Sequence, residues 1–186
     1  MSQSVLIFLD GCFLESFLGS SVSSSFKMVL ELELREYFGE EKKRVVLIGV
    51  GNPMRGDDGV GVKIIELLND KGLPDVLLLN TETVPEAFAG KVSEFMPTHI
   101  LILDAANFHG KPGEVRLITT EQIGGQAIST HSLPLNIFIS YVKNEVGVES
   151  MLLGIQPKRI EFFTEMTDEV REAAEKVAET LYSILK

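Results

Sequence analysis

The stretch from Val45 to Gly61, VVLIGVGNPMRGDDGVG, constrains the fold more than any other part of the chain. Val45 to Val50 is an uncharged, largely β-branched run, as expected of a strand buried on both faces between helices. A glycine-rich turn follows, and then Val60, Ile64, Leu67 and Leu68 recur at helical spacing, so the helix packs one face back onto the sheet. A strand, a tight turn and a returning helix make half of a βαβ unit, which places Val45–Val50 near the centre of a largely parallel sheet.

A glycine turn feeding a helix is also the shape of a phosphate-binding loop, but this one has the wrong chemistry. The Gly-x-Gly-x-x-Gly spacing is absent, and so are the lysine and hydroxyl of a P-loop. Asp57 and Asp58 open the helix instead, where they complement the positive end of its dipole and repel a pyrophosphate. One acid suffices as an N-cap, and Asp57 is expected to take that role; the second acid is then open to another use.

From Val45 onward strand-like and helix-like segments alternate. Strands are expected at Val76–Asn80, His99–Asp104, Glu114–Thr119 and Met151–Ile155, with helices over Ala87–Met96, after Pro134, and from Thr167 to the end. The alternating pattern of Glu114–Thr119 suits a less buried, antiparallel edge strand. The expected fold is therefore α/β: helices on both faces of a mixed, mostly parallel five-stranded sheet.

Residues 1–43 read differently. Val5–Leu9 is too short to span a bilayer, Gly19–Ser25 is serine-rich and reads as a loop, and a helix is expected near 28–38. The expected organisation is an N-terminal extension over 1–43, with the true start expected at Met28 and the residues before it an upstream extension with no role in the chemistry, and a single domain over 44–186. A net charge of −10 leaves no basic stripe for nucleic acid and disfavours an anionic membrane surface. One cysteine, Cys12, excludes an internal disulfide and a thiolate metal cluster, and suits a reducing compartment.

Open α/β sheets bind ligands beyond the carboxyl ends of their strands, and three polar residues fall there. Asp58 follows the first strand across the turn, Asp104 ends the third, and His131 precedes the Pro134 helix. Two carboxylates and an imidazole form an O,O,N set that suits a divalent ion such as zinc, nickel, manganese or iron, and that equally suits acid–base catalysis. Taken singly, each has a plain structural reading, as a cap or a solvated loop residue. His99, at the amino end of its strand, and His109, in a Gly/Lys turn, are weaker candidates.

At these residues the sequence resembles a known family. Gly51-Asn52-Pro53-Met54-Arg55-Gly56-Asp57-Asp58-Gly59, Leu101-Ile102-Leu103-Asp104-Ala105, Thr130-His131-Ser132-Leu133-Pro134-Leu135 and Leu153-Gly154-Ile155-Gln156-Pro157 occur in the order seen in the [NiFe]-hydrogenase maturation endopeptidases. The resemblance covers about residues 44 to 185 and is closest to the formate-hydrogenlyase, or hydrogenase 3, branch. It implies a three-layer, phosphorylase/hydrolase-like fold and a cytoplasmic, aspartic-type, nickel-dependent endopeptidase, monomeric when free. The implied substrate is a hydrogenase large-subunit precursor, whose C-terminal extension is removed after nickel insertion.

By motif, the residues implied to contact the metal are Asp58, Asp104 and His131, with nickel carried by the substrate rather than held at rest. Asp58 or Asp104 would act as base, and amides of Gly56 to Gly59 would serve as oxyanion donors. No nucleophilic-serine elbow is visible. Two other readings stay open: a metal-dependent small-molecule hydrolase on the same fold, and a noncatalytic nickel-dependent maturation chaperone.

Overall fold

A computed structural model of the chain describes residues 22–41, 43–119 and 132–186. Helix α1 spans Val22–Phe38, followed by strand β1, Val45–Val50; a 3-10 turn, Gly56–Gly59, runs directly into α2, Val60–Asn69. Strand β2 is Val76–Glu82, and a second 3-10 turn, Pro85–Phe88, opens into α3, Ala89–Phe95. Strands β3, His99–Ala105, and β4, Val115–Thr119, precede α4, Ser132–Val146; β5, Ser150–Ile155, and α5, Asp168–Leu185, complete the chain.

The five strands form one sheet in the order β2-β1-β3-β5-β4. Pairs β1–β2, β1–β3 and β3–β5 are parallel, while β4 runs antiparallel to β5 at the edge. The burial of β4 is not the simple alternation expected: Val115 and Ile118, three residues apart, are buried in the cores on opposite faces of the sheet, whereas Arg116 and Thr119 are exposed. Central strands β1 and β3 are buried along almost their whole length, as their unbroken apolar runs require.

Because side chains alternate along a strand, the two faces of the sheet collect separate cores. Val45, Leu47, Leu101, Leu103 and Leu153 face α1, α2 and α5, where Ile64, Leu68, Val170, Val177 and Leu181 meet them. Val46, Ile48, Ile100, Ile102 and Leu152 face α3 and α4, against Val92, Leu135, Phe138 and Val142. This is the three-layer α/β/α arrangement.

Three elements depart from their expected bounds. The serine-rich segment is helical from Val22, and α1 buries Leu30, Leu34 and Phe38 in the core shared with α5. The Tyr37 hydroxyl reaches β3, donating to the Ile100 carbonyl at 2.8 Å and accepting from the Ile100 amide at 3.1 Å. Strand β2 continues to Glu82 through an irregularity opposite Val50. Finally, Pro85 starts a 3-10 turn ahead of α3, and α3 stops at Met96, which takes a left-handed conformation before Pro97.

Candidate functional site

Glycines fold the turn after β1 onto itself. Gly51 has φ +132°, and a Cβ there would collide with the carbonyl of Asp58. The Asn52 side chain accepts the Met54 amide at 3.0 Å, and the Asn52 carbonyl accepts the Arg55 amide at 3.0 Å, so the chain reverses before Gly56. Gly61, in the first turn of α2, touches the ends of β1 and β3 so closely that a Cβ would meet the carbonyls of Val50 and Leu103. The turn carrying Asp58 is thereby seated against the strand end that carries Asp104, one residue beyond Leu103.

Asp58 and Asp104 are both fully buried. A buried carboxylate must be paired or hydrogen-bonded, and Asp58 has visible partners: its Oδ2 accepts the Asn52 amide at 3.3 Å and lies 3.6 Å from the guanidinium of Arg55. Arg55 in turn lies over the ring of Phe162, 5.0 Å from its centroid. Asp104 stands in register with Gly154 of β5.

Asp57 does not cap the helix it precedes. Neither the 3-10 turn nor α2 has a side-chain cap, with Arg55 and Gly59 at the respective cap positions. The Asp57 carboxylate, fully buried, turns instead to the segment after β5. Its Oδ2 accepts the amides of Lys158 and Arg159, each at 2.8 Å, and its Oδ1 accepts the Thr167 amide at 2.7 Å. The Thr167 hydroxyl donates at 3.0 Å, so the N-cap residue of α5 spends its side chain on Asp57 rather than on its own helix. Charge-assisted bonds to three amides explain why a buried acid is tolerated here.

Backbone contacts reinforce the joint: the Asp57 amide donates to Arg159 at 3.2 Å, the Phe163 amide to Met54 at 2.7 Å, and Arg55 bridges Thr164. A cleft of about 620 Å³, lined by residues including Lys158, Arg159, Glu165 and Arg171, lies along this segment. Phe162 and Phe163 remain exposed.

Gln156, in the Gly-Ile-Gln-Pro element, organises the loop after β3. Its Oε1 accepts the amides of Phe108 and Gly110 at 3.0 and 3.1 Å, while its Nε2 donates to Asn107 Oδ1 and the Pro157 carbonyl. The chain just beyond Asp104 is thus tied to the chain just beyond β5.

The two acids therefore fall at the same end of the sheet, whereas His131 lies outside the described residues. Among the described residues no group of three His, Cys, Asp or Glu side chains is placed to hold a metal, which leaves the acids as the described part of the set. The oxyanion expectation loses two of its amides, since Asp57 donates to Arg159 and Asp58 donates to Arg55 at 3.4 Å.

His99 opens β3, at the opposite end from Asp104, with its ring edge-on to Tyr37 and Phe38. Burial, then the nearby Lys43 charge, push its pKa down against a backbone hydrogen bond at Tyr37. His109 is exposed in a turn with φ +59°. Neither belongs to the acid pair. Arg55, Thr167 and Phe162 were not distinguished by sequence pattern; only the position of Arg55 beside the acids offered a signal.

Against known proteins, the family model described as HycI, hydrogenase maturation protease, matches residues 62–184. The hydrogenase 3 maturation protease of Escherichia coli K12 is 35% identical over 137 residues, which cover 73% of this chain and 87% of that protein. Among solved structures, the [NiFe] hydrogenase maturation protease HycI from Thermococcus kodakarensis superposes with a TM-score of 0.75 at 39% identity, covering 84% of this chain and 98% of the other. The hydrogenase maturating endopeptidase HybD from E. coli gives 0.62 at 27% identity, over 75% and 93% of the two chains. With two thirds of its length matched by the family model and relatives above 30% identity over most of both chains, the chain belongs to the hydrogenase maturation protease family.

Proposed function

We propose that the protein is an endopeptidase that removes the C-terminal extension of a [NiFe]-hydrogenase large-subunit precursor once nickel is in place, and that Asp58, Asp104 and His131 meet that nickel. The observation that carries this reading is the pair of fully buried acids brought to one sheet end by the close packing of Gly61 against β3, in a chain of this family. Two hard oxygen donors and an imidazole, without a thiolate, make an incomplete shell, suited to completing the coordination of a metal held largely by another protein. Nickel is on this view part of the substrate.

The chemistry asked of the chain is modest. A carboxylate, Asp58 or Asp104, takes a proton from water as its oxygen attacks the scissile carbonyl; the C–N bond then breaks and the proton passes to the departing amine. The metal in the precursor supplies Lewis acidity at the same place. Recognition then depends on metal and peptide together, because the site has little affinity for an empty precursor.

Incubation with nickel-loaded and nickel-free precursor, followed by intact-mass measurement, tests the proposal. The expected result is a mass loss confined to the loaded precursor. Binding of loaded precursor without any mass loss would instead identify a maturation chaperone, and stoichiometric metal surviving chelation in the isolated protein would point to a small-molecule metallohydrolase.

A further inference from the structure

Arg55 sits between the candidate chemistry and the exposed aromatic segment, and among the described residues its side chain is held by Asp58 and Phe162. One guanidinium nitrogen lies 3.6 Å from Asp58 Oδ2, and the guanidinium plane covers the ring of Phe162 at 5.0 Å. Its Nε is buried with no hydrogen-bond partner among the described residues, and the side chain remains one-third exposed. The backbone, by contrast, is fixed by the bond to Asn52 and the bridge to Thr164. A fixed backbone carrying a charged fork with an unmet donor and an open side describes a group that can leave its position without disturbing the turn.

A monovalent guanidinium and a divalent metal ion compete for the same carboxylate. Burying Asp58 beside the strand end of Asp104 requires compensating positive charge, and Arg55 provides it among the described residues. We propose that Arg55 is a resident counter-cation that holds Asp58 against free metal and is displaced when metal arrives already bound in the peptide substrate. It is a positioning residue for Asp58 and a determinant of selectivity: a lone ion must break the Arg55–Asp58 pair by itself, whereas a metal–peptide surface brings further contacts with which to do so. The inference rests on the nickel reading proposed above, and concerns the free protein as well as the working one.

Nickel titration of the isolated protein, followed calorimetrically, tests it without any cleavage. Arg55→Met keeps the length and apolar stem but removes the charge, and is expected to tighten nickel binding by at least ~10-fold, the order of an opposing charge pair removed. Adding Asp58→Asn to Arg55→Met should abolish that gain, because the metal would have lost the carboxylate that Arg55 screened. Should Arg55→Met fold poorly with Asp58 left unpaired, Phe162→Ala decides instead: the ring is exposed, its loss leaves the core intact, and a less firmly held guanidinium should shift nickel affinity the same way by a smaller factor. Arg55→Lys, which retains a charge on a flexible stem, should stay near the parent.

Unchanged nickel affinity in a folded Arg55→Met protein, or a gain that persists without Asp58, overturns the proposal. The titration is independent of processing. If the parent protein fails to shorten loaded precursor yet Arg55→Met binds nickel more tightly through Asp58, the protease reading falls and the counter-cation stands.

Discussion

The carboxylate of Asp57 is hydrogen-bonded to both the amide and the hydroxyl of Thr167, 110 residues further along the chain, at 2.7 and 3.0 Å. Since the same carboxylate takes the amides of Lys158 and Arg159, the first acid of the turn is a joint between the start and the end of the domain. Asp57→Asn places an NH2 group against at least one N–H donor that needs an acceptor. Leaving a buried donor unsatisfied costs about 1–3 kcal/mol, and the variant should lose stability of that order by denaturant titration. A loss well under 1 kcal/mol, the result expected of an exposed helix cap, would contradict this role.

How much of this was legible beforehand depended on whether a residue's partners were local. Val45–Val50 and His99–Asp104 announced themselves because a strand covered on both faces leaves little room for a polar side chain; β4 was legible as an edge strand, but it buries Val115 on one face and Ile118 on the other instead of alternating. Asp58 and Asp104 were placed by the rule that sites form at carboxyl ends of strands. Asp57 was misread as a cap because its partners are backbone amides, which any sequence possesses. The contribution of α1 was hidden similarly: Tyr37 bonds to main-chain atoms of Ile100, and nothing in the composition of Glu31–Phe38 points to β3.

Tyr37 offers a direct test of that second joint. Burial raises its pKa to about 12, against the pull of the Ile100 amide that donates to its oxygen, so its hydroxyl remains a neutral donor at ordinary pH. Tyr37→Phe keeps the ring packed against Phe38 and His99 and removes only the oxygen. The Ile100 amide then loses an acceptor. A destabilisation of about 1–2 kcal/mol in equilibrium unfolding is expected, with the α/β circular dichroism unchanged.

His99 should make stability fall in mild acid. Burial, followed by repulsion from Lys43, lowers its pKa below 6.5 in the folded state, so the unfolded chain binds its proton first as pH drops. The stabilising contribution is complete above the unfolded value and is lost as pH falls through it towards the folded one. Melting temperature should therefore decline as pH falls through the ordinary histidine value of about 6.5, and His99→Gln should flatten that part of the profile. Parallel profiles for parent and variant would assign the decline to other groups.

Asp58 and Asp104 are separated from structural acids by charge-removing, size-keeping substitutions. In Asp58→Asn the Asn52 amide can still donate to the side-chain oxygen, and in Asp104→Asn the strand register with Gly154 is untouched. Processing of loaded precursor should fall at least ~10²-fold in each while the folded spectrum persists. Normal processing by either variant would remove that acid from the proposed site, and activity lost only through unfolding would give it a structural role.

Gln156 distinguishes shape from charge at the end of β5. Its Oε1 gathers two amides of the loop after Asp104, while its Nε2 donates to a carbonyl and to Asn107. Gln156→Glu retains the first pair of bonds and turns the second against oxygen acceptors, in a residue that is almost fully buried. The loop from Asn107 to Gly110 should loosen, while the β3–β5 ladder, which ends at Ile155, remains. Amide hydrogen exchange should accelerate at Phe108 and Gly110 but not at Ile102 or Leu103. If that loop sets the position of Asp104 for catalysis, kcat on loaded precursor should fall more than KM rises, and raised exchange with unchanged kcat would confine Gln156 to holding the loop.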